Sequence, residues 1–219
     1  MTCSAVLFDL DGTLLDTLED LADSANAALE SRDLPTHPLD AYRFFVGDGV
    51  RKLMLRALPD EQATDSVFVD EMVGEMRRRY SENWDNKTRP YPGVGELLDG
   101  LTERGVPFCV VSNKPQDFTD LCVDRLLGQW RFSAVIGVSD AIPPKPDPTG
   151  ARQAVETLNV PAERFLYLGD TNTDMKTAGA AGMFPVGAAW GFRPVEELRD
   201  NGARAIAQHP TDLLTLLEG

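Results

Sequence analysis

The sequence predicts an α/β fold in which a doubly wound parallel sheet carries a small inserted α-helical domain. Short apolar runs without alternation, each bounded by turn formers, are typical of strands buried on both faces. Helical patterns separate these runs after residue 88, as they do in an open parallel sheet. Residues 16–87 instead show helical periodicity and no convincing strand. We therefore predict a core domain of residues 1–15 and 88–219 and an inserted helical domain of residues 16–87.

The elements of the predicted core alternate along the chain. The apolar runs that predict its strands cover residues 5–10, 107–113, 133–138, 164–170 and 183–187. Apolar residues recur at helical spacing in residues 95–104, 115–127, 148–158 and 173–181. Each helix follows a strand and leads to the next one, which predicts a sheet with helices on both faces.

The predicted insert contains three apolar stripes at helical spacing. The first runs through residues 18–29 and the second through residues 50–58, while residues 60–84 predict one long helix or a pair. Residues 86–94 are rich in turn formers and return the chain to the sheet.

Composition narrows the classes of function. The 219 residues include 21 basic and 35 acidic side chains, a net charge of −14, which disfavours a nucleic-acid partner. No apolar run is long enough to span a membrane, and no signal peptide is recognisable, so we expect no membrane partner. Cys3, Cys109 and Cys122 lack CxxC spacing, which argues against disulfides and zinc. We expect a cytoplasmic protein that is a monomer or a homodimer.

Polar side chains collect at the carboxyl ends of the predicted strands, which is the edge where open α/β sheets bind ligands. The residues concerned are Asp9, Asp11, Ser112, Asn113, Lys145, Asp170 and Asp174. Clustered carboxylates repel one another unless a cation neutralises them, and oxygen ligands without histidine favour Mg²⁺ over zinc. A lysine and a hydroxyl at the same edge suit a phosphoryl group. We therefore predict a magnesium-dependent phosphoryl-transfer site.

The two carboxylates after the first strand suggest how such a site would react. Beside a metal ion, Asp9 could act as a nucleophile and form an aspartyl-phosphate. Asp11, two residues later, could protonate the leaving oxygen and afterwards activate water.

These residues lie in motifs that resemble a known family. DLDGT, SN, the lysine of KPDP and GDTNTD occur in the order found in haloacid dehalogenase-like hydrolases, and the resemblance covers essentially the whole chain. It implies a Rossmann-like core with Asp9 as the nucleophile and a magnesium ligand. It also implies Asp11 as the general acid/base, with its backbone carbonyl as a second ligand, and Asp170 as a third.

The resemblance assigns the remaining motif residues to the phosphate and its surroundings. Ser112 and the backbone of Asn113 would donate hydrogen bonds to the phosphate. Lys145 would hold the phosphate and the nucleophile. Asp174 would act from behind the direct metal ligands or pair with Lys145.

Finer details of the resemblance indicate the substrate class. The dehalogenases of this family lack a carboxylate at the position of Asp11, so its presence implies phosphate monoesters. The insert is similar to the small helical cap of the family, which closes over small substrates. The segments FVGDGVRKLMLRAL and GDTNTDMKTAGAAGMFPVGAAWGF resemble phosphoglycolate phosphatases, which implies 2-phosphoglycolate as the substrate. Gly47 and Gly49 could then approach a small carboxylate, with Arg51 adding charge, or they could be ordinary turn residues.

Other functions stay open on sequence alone. A phosphosugar mutase or a pyrophosphatase of the same family is the first alternative, and a phospho-receiver signalling module is the second. The helical insert, the chain length and Asp11 argue against the receiver. Among residues near the site, we expect Lys114 to face solvent, and Trp190 and Phe192 to pack in the core.

Overall fold

A computed structural model describes residues 3–217 of the chain. The chain forms two compact units. The first, here called the sheet unit, consists of Met1–Leu15 and Pro90–Gly219. The second, here called the helical unit, consists of Asp16–Arg89.

The strands form one large sheet and one small one. In chain order they are β1 (Ala5–Phe8), β2 (Leu15–Asp16), β3 (Arg89–Pro90), β4 (Phe108–Pro115), β5 (Ala134–Val138), β6 (Phe165–Gly169), β7 (Phe184–Ala188) and β8 (Ala205–Ala207). The large sheet has the order β5-β4-β1-β6-β7-β8, and its pairs are parallel. The order reverses direction beside β1, so β1 lies at the centre, as in doubly wound folds. The short strands β2 and β3 pair with each other.

Helices connect the parallel strands. In chain order the α-helices are α1 (Leu18–Glu30), α2 (Leu39–Phe45), α3 (Val50–Ala57), α4 (Asp60–Ala63), α5 (Ser66–Asn83), α6 (Val94–Glu103), α7 (Gln116–Leu126), α8 (Thr149–Leu158), α9 (Asn172–Ala181), α10 (Val195–Asp200) and α11 (Asp212–Leu216). The predicted α/β class with a parallel sheet is confirmed. The sequence prediction missed β8, the two short strands β2 and β3, and the short helices α2, α10 and α11.

The core of the sheet unit explains why these segments are strands. Every side chain of β1 and of β6 is buried, as the unbroken apolar runs of both predicted. One apolar cluster joins β1, β4 and β6 to the helices α8 and α9, and includes Leu7, Val111 and Tyr167. A side chain that fills such a layer removes its apolar surface from water, which is the main favourable term in folding.

The register of the sheet aligns the ends of its three central strands. Phe8 pairs with Val110 of β4 and with Leu168 of β6. Because the strands are parallel, the residues that follow these three positions emerge at the same edge of the sheet. The register between β4 and β5 shifts between Val111 and Pro115. This irregularity re-aims the side chains of the intervening residues, as bulges do beside many active sites.

The helical unit consists chiefly of α1 to α5, in which α1 packs along α5 and α3 also contacts α5. The stripe predicted at residues 18–29 becomes α1, with Leu18, Ala25 and Leu29 buried. Residues 60–84 form a pair, the short α4 and the long α5, rather than one helix. Asp65 begins α5 because its side chain accepts hydrogen bonds from two backbone N–H groups of the first turn.

A buried aspartate joins the start of the helical unit to its end. Asp20, on the first turn of α1, is 2 % exposed. Its carboxylate accepts hydrogen bonds from the backbone N–H of Lys87 at 2.9 Å, and from the N–H and the hydroxyl of Thr88, each at 2.8 Å. The cost of burying this charge is offset because three donors satisfy it.

Two further findings concern the whole described chain. Cys3, Cys109 and Cys122 are buried thiols without disulfide bonds, as their spacing predicted. None of the helices within residues 3–217 combines the length and the apolarity that crossing a bilayer requires.

Candidate active site

Asp9 stands at the centre of the site, directly after β1. Its backbone N–H donates to the carbonyl of Leu168 at 2.9 Å, which continues the β1–β6 ladder by one residue. The side chain is nearly buried, and its Oδ1 accepts a hydrogen bond from Nζ of Lys145 at 2.6 Å. Its Oδ2 accepts no hydrogen bond from another described residue. One carboxylate oxygen is therefore fixed by a charge, while the other is available to a ligand.

Lys145 connects two aspartates. Its Nζ also donates to Oδ1 of Asp174 at 2.7 Å and to the carbonyl of Val111 at 3.2 Å, so all three ammonium protons have acceptors. The side chain is 4 % exposed. The resemblance implied that Lys145 holds Asp9, and it gave pairing with Lys145 as one of two roles for Asp174; the structure brings all three residues together.

Asn113 positions the backbone of Lys145. Its side-chain Oδ1 accepts from the N–H of Lys145 at 2.7 Å, and its Nδ2 donates to the Lys145 carbonyl at 3.2 Å. Both bonds are buried, and they span from the end of β4 to the loop after β5. This clamp was not foreseen, because sequence analysis considered only the backbone of Asn113.

Asp170, directly after β6, is fully buried and held by two donors. The hydroxyl of Thr13 donates to its Oδ1 at 3.0 Å, and the backbone N–H of Phe192 donates to its Oδ2 at 2.8 Å. Glycines pack against this carboxylate. A Cβ atom at Gly12 would lie 2.3 Å from Oδ2 of Asp170, and one at Gly191 would lie 2.1 Å from its Cβ. Only a residue without a side chain allows the two loops to approach this closely.

Asp174 lies at the start of α9 and forms a capping box with Thr171. The Asp174 Oδ2 accepts from the backbone N–H of Thr171 at 3.0 Å and from its hydroxyl at 2.7 Å. Its Oδ1 accepts from Lys145 and from the Tyr167 hydroxyl at 3.2 Å. Because protein donors already occupy both oxygens, the geometry suits the predicted supporting role better than direct metal ligation.

The three buried carboxylates are close enough to hold a cation together. One oxygen of each of Asp9, Asp170 and Asp174 lies within 4.8 Å of the others. The Lys145 ammonium contacts two of them, Asp9 and Asp174. The donor set is carboxylate oxygen without nitrogen or sulfur, which fits a hard divalent cation. Asp11 was predicted to bind the metal through its backbone carbonyl. Its side-chain carboxyl does not belong to this group.

The pKa values of the site residues reflect the same excess of negative charge. Burial raises the pKa of Asp9 well above its ordinary value, and the charges of Asp174 and Asp170 raise it further against the opposing effect of Lys145. Burial, followed by the charge of Asp174, raises the pKa of Asp170 to about 7. For Lys145, burial lowers the pKa, but the two flanking carboxylates outweigh it and raise the pKa well above its usual range.

A second pair of charges lies beside the first. Lys114 Nζ and Asp11 Oδ1 are 3.2 Å apart, and the Lys114 side chain is 5 % exposed. The Asp11 Oδ1 is buried and makes no hydrogen bond of good geometry within the described residues. The expectation that Lys114 faces solvent was therefore wrong. The irregular register of β4 accounts for the error, because sequence alternation cannot show which way such a residue turns.

The predicted phosphate donor Ser112 is at the same strand end. It is 3 % exposed, and its hydroxyl oxygen accepts a hydrogen bond from the backbone N–H of Lys114 at 3.1 Å. The Lys114 carbonyl in turn accepts from the hydroxyl of Thr119 at 3.1 Å. Hydrogen bonds therefore fix both the backbone N–H and the backbone carbonyl of Lys114 in the segment that also carries Ser112.

Several contributing residues escaped sequence analysis. Thr13 and Tyr167 belong to otherwise apolar or turn-forming motifs, so nothing marked their hydroxyls as donors to the site. Thr171 was detectable, because Thr-x-x-Asp ahead of a helix is a capping signature. Phe192 is buried, as expected, yet its backbone N–H serves the site. Trp190 is half-buried and donates through Nε1 to the carbonyl of Thr13 at 3.0 Å.

Gly47, Gly49 and Arg51 belong to the helical unit. Both glycines have positive φ values, 111° and 88°, which a residue with a side chain adopts only with strain. Gly49 directly precedes α3. Arg51 forms an exposed ion pair with Asp70. A contact of these residues with substrate stays a prediction.

Comparison with known proteins identifies the family. Residues 6–188 match the haloacid dehalogenase-like hydrolase family. The chain is 34% identical to the phosphoglycolate phosphatase of Pseudomonas syringae pv. tomato, over 98% of this chain and 78% of that protein. It is 31% identical to the phosphoglycolate phosphatase of Aquifex aeolicus, over 97% of this chain and 96% of that protein.

Solved structures agree with this assignment. A structure from Lactobacillus delbrueckii subsp. bulgaricus superposes with a TM-score of 0.91 at 29% identity, covering 99% of both chains. A predicted phosphoglycolate phosphatase from Haemophilus somnus has a TM-score of 0.90 at 27% identity, covering 99% of this chain and 98% of that one. The resemblance stated from the motifs is confirmed. The chain belongs to the haloacid dehalogenase-like hydrolase family, as a phosphoric monoester hydrolase of its phosphoglycolate phosphatase-like group.

Proposed function

We propose that this enzyme hydrolyses a small phosphate monoester, with 2-phosphoglycolate as its substrate, through a phosphorylated Asp9 and with Mg²⁺. The observation that carries the proposal is the buried Asp9 carboxylate, with Oδ1 fixed by Lys145 and Oδ2 without a donor among the described residues. Such an oxygen suits a nucleophile, because its partner oxygen is already oriented and its own lone pairs are available.

The proposed reaction has two steps. In the first, Oδ2 of Asp9 forms a bond to phosphorus while the bond from phosphorus to the ester oxygen breaks, and Asp11 gives its proton to the departing alkoxide. In the second, Asp11 takes a proton from a water molecule whose oxygen attacks the same phosphorus. The acyl-phosphate bond then breaks, which regenerates Asp9 and releases inorganic phosphate. The position of Asp11 supports this role, because it lies two residues after the nucleophile and its buried Oδ1 makes no hydrogen bond of good geometry within the described residues.

The residues present fit a magnesium site. Asp9 and Asp170, together with the Asp11 backbone carbonyl, are the proposed ligands, and Asp174 supports them from behind through Lys145. When bound, Mg²⁺ would neutralise the clustered carboxylates and the transferring phosphoryl oxygens. Lys145 holds Asp9 and faces the same oxygens, while Ser112 and the backbone of Asn113 are proposed to donate hydrogen bonds to them.

The choice of substrate rests on the relatives. Phosphoglycolate phosphatases of Pseudomonas and Aquifex match nearly the whole of this chain. We further propose that the helical unit acts as a cap, with Gly47, Gly49 and Arg51 serving substrate recognition. The partner would then be a small phosphorylated metabolite. The three free thiols support the cytoplasm as the compartment.

A substrate panel tests the proposal. Release of inorganic phosphate is measured with 2-phosphoglycolate, glucose 1-phosphate, nucleotides and pyrophosphate, in Mg²⁺ and in EDTA. We expect the highest kcat/KM with 2-phosphoglycolate, and no turnover in EDTA. Asp9→Asn should lower kcat by at least about 1,000-fold while the protein stays folded. Normal turnover by Asp9→Asn would refute the phosphorylated-aspartate mechanism, and conversion of glucose 1-phosphate to glucose 6-phosphate would favour a mutase.

A further inference from the structure

We propose that Arg56 is a positioning residue for substrate recognition, because it holds the turn between α2 and α3 in the conformation that receives the carboxylate of 2-phosphoglycolate. This turn, residues 46–49, contains Gly47 and Gly49 and is called the glycine turn below. The inference rests on the proposed function, in which these two glycines serve recognition. It assigns a role to a residue that acts through the turn and not by touching the substrate.

The glycine turn gains little rigidity from its own sequence. Gly47 and Gly49 have φ values of 111° and 88°, which glycine adopts without steric cost but also leaves easily. A mobile turn has to be ordered when a ligand binds, and the entropy lost in ordering it weakens binding. The contacts that the turn makes with its surroundings therefore decide how well it is organised before substrate arrives.

Arg56 supplies two such contacts from the last turn of α3. Its Nη1 donates to the carbonyl of Phe45 at 3.0 Å, and its Nη2 donates to Oδ2 of Asp48. Phe45 is the last residue of α2, and Asp48 lies between the two glycines. One planar guanidinium thus joins the end of α2 to the middle of the glycine turn. Because its donors form a rigid fork, it also fixes the direction from one to the other.

The same ion pair fixes the charge of Asp48. The first turn of α3 contains Arg51 and Lys52 and no acidic residue, and a helix N-terminus of this kind favours an anion. Asp48 lies just before that turn, so its carboxylate would repel the carboxylate of a substrate. The Asp48 side chain is 15 % exposed and the Arg56 side chain is 36 % exposed. Arg56 therefore neutralises this charge as well as holding it in place.

Other contacts hold the two helices together without Arg56. Ring atom Nε2 of His37 donates to the carbonyl of Ala57, at the end of α3, at 2.7 Å. The same ring packs edge-on against Phe45, at the end of α2, with the ring centroids 5.1 Å apart. Loss of the Arg56 side chain should therefore release the glycine turn while α2 and α3 keep their places.

Steady-state kinetics with two esters test the recognition role in the full-length enzyme. One ester is 2-phosphoglycolate, and the other is 2-hydroxyethyl phosphate, in which a CH₂OH group replaces the carboxylate. For Arg56→Met we expect KM for 2-phosphoglycolate to rise about 10-fold and kcat to change by less than about 2-fold, because ordering the turn weakens ground-state and transition-state binding alike. Both constants for 2-hydroxyethyl phosphate should change by less than about 2-fold.

Two further variants serve as rescue and control. Arg56→Lys keeps the charge without the planar fork, so it should recover part of the lost affinity for 2-phosphoglycolate. Arg78→Met removes exposed ion pairs with Glu75 and Glu82 on α5 and is the matched control. It should leave the kinetics with both esters unchanged. Thermal unfolding checks that each variant is folded.

Removal of the Asp48 charge separates geometry from neutralisation. In the double variant Asp48→Asn with Arg56→Met no carboxylate is left uncompensated, but the turn is still released. Its KM for 2-phosphoglycolate should therefore stay within about 3-fold of the value for Arg56→Met. A return to the value of the unaltered enzyme would show that Arg56 only neutralises Asp48, and it would overturn the positioning role.

Nuclear magnetic resonance relaxation measures the order of the turn without any substrate. In the unaltered enzyme and in Arg78→Met, the backbone order parameters of residues 47–49 should be near about 0.85, the value for rigid backbone. In Arg56→Met they should fall below about 0.6, the range for flexible backbone. Equal order parameters in all three proteins would refute the proposal.

The kinetic outcomes also separate this inference from the proposed function. If the order parameters fall in Arg56→Met but the two esters respond alike, the glycine turn does not recognise the carboxylate, and the inference fails while the phosphatase mechanism stands. The same conclusion follows if the unaltered enzyme hydrolyses both esters with equal kcat/KM. If the unaltered enzyme hydrolyses neither ester, the proposed function fails and this inference fails with it.

Discussion

The ammonium of Lys145 lies 2.6 Å from Oδ1 of Asp9, and 2.7 Å from Oδ1 of Asp174 on its other side. This one buried cation holds together the ends of three segments that are far apart in the chain. Its removal would leave two carboxylates facing each other without compensation.

Replacement of Lys145 should therefore damage both stability and turnover. We expect Lys145→Met to lower the free energy of unfolding by about 3 kcal/mol at pH 8, because breaking a buried pair leaves uncompensated charge. It should also lower kcat by about 100-fold or more, since the positive charge that holds Asp9 and would offset the charge of the phosphoryl oxygens is lost. Urea unfolding and steady-state kinetics measure the two effects. Lys176→Met, at an exposed position of α9, is the matched control and should be nearly neutral.

The raised pKa of Asp170 predicts how the stability of the folded protein responds to pH and to Mg²⁺. Its folded-state pKa is about 7, against an ordinary value of 3.8, so the folded metal-free protein binds this proton more tightly than the unfolded chain does. Metal-free stability should therefore fall as pH rises from about 4 to 7, by up to about 4 kcal/mol from this group. Mg²⁺ should restore it at pH 8.

The variant Asp170→Asn tests this linkage without relying on activity. An asparagine can accept from the N–H of Phe192 and donate to the hydroxyl of Thr13, so the packing is preserved. We expect the metal-free variant to be more stable than the original protein at pH 8, and its melting temperature to be insensitive to Mg²⁺. A melting temperature that still rises with Mg²⁺ would contradict the assignment of Asp170 as a ligand.

The side chain of Asn113 should act through the position of Lys145. In Asn113→Ala the backbone N–H and carbonyl of Lys145 lose buried partners, which should cost about 1–3 kcal/mol of stability. We expect kcat to fall by about 10-fold or more with little change in KM, because the Lys145 ammonium shifts relative to Asp9. Asn201→Ala, which removes one side-chain bond to a helix carbonyl, is the control. A change in KM alone would indicate direct substrate binding instead.

The glycines around Asp170 should tolerate no side chain. A Cβ atom at Gly191 would overlap the side chain of Asp170, so Gly191→Ala should lower stability by about 1–3 kcal/mol and weaken the response to Mg²⁺. Gly74, inside α5, has open space where its Cβ would lie. Gly74→Ala should therefore stabilise the protein by up to about 1 kcal/mol. Thermal unfolding with and without Mg²⁺ compares the two, and equal effects would refute the packing argument.

The sequence was sufficient for the sheet because its strands are buried on both faces. The unbroken apolar runs of β1 and β6 indicate this burial directly. In contrast, β8 has three residues and offers too short a pattern to recognise. The short helices α10 and α11 were missed for the same reason.

The residues of the site were predictable where they belong to a recognisable sequence motif. Asp9, Lys145, Asp170 and Asp174 come together as their positions after the strands implied. The supporting contacts were not predictable, because they depend on tertiary geometry. The Asn113 clamp joins residues 32 positions apart, and the burial of Lys114 follows an irregularity in β4 that no local pattern shows.

The hydrogen bonds that Asp20 accepts from Lys87 and Thr88 have a consequence for evolution. They tie the entrance of the helical segment to its exit, so the segment closes on itself within its own sequence. A segment whose ends meet can be inserted at one loop of a host fold without separating the residues on either side. Recombination at that loop could therefore exchange the whole segment as a cassette. The strands and the Asp9 chemistry would pass unchanged to a descendant with a different substrate.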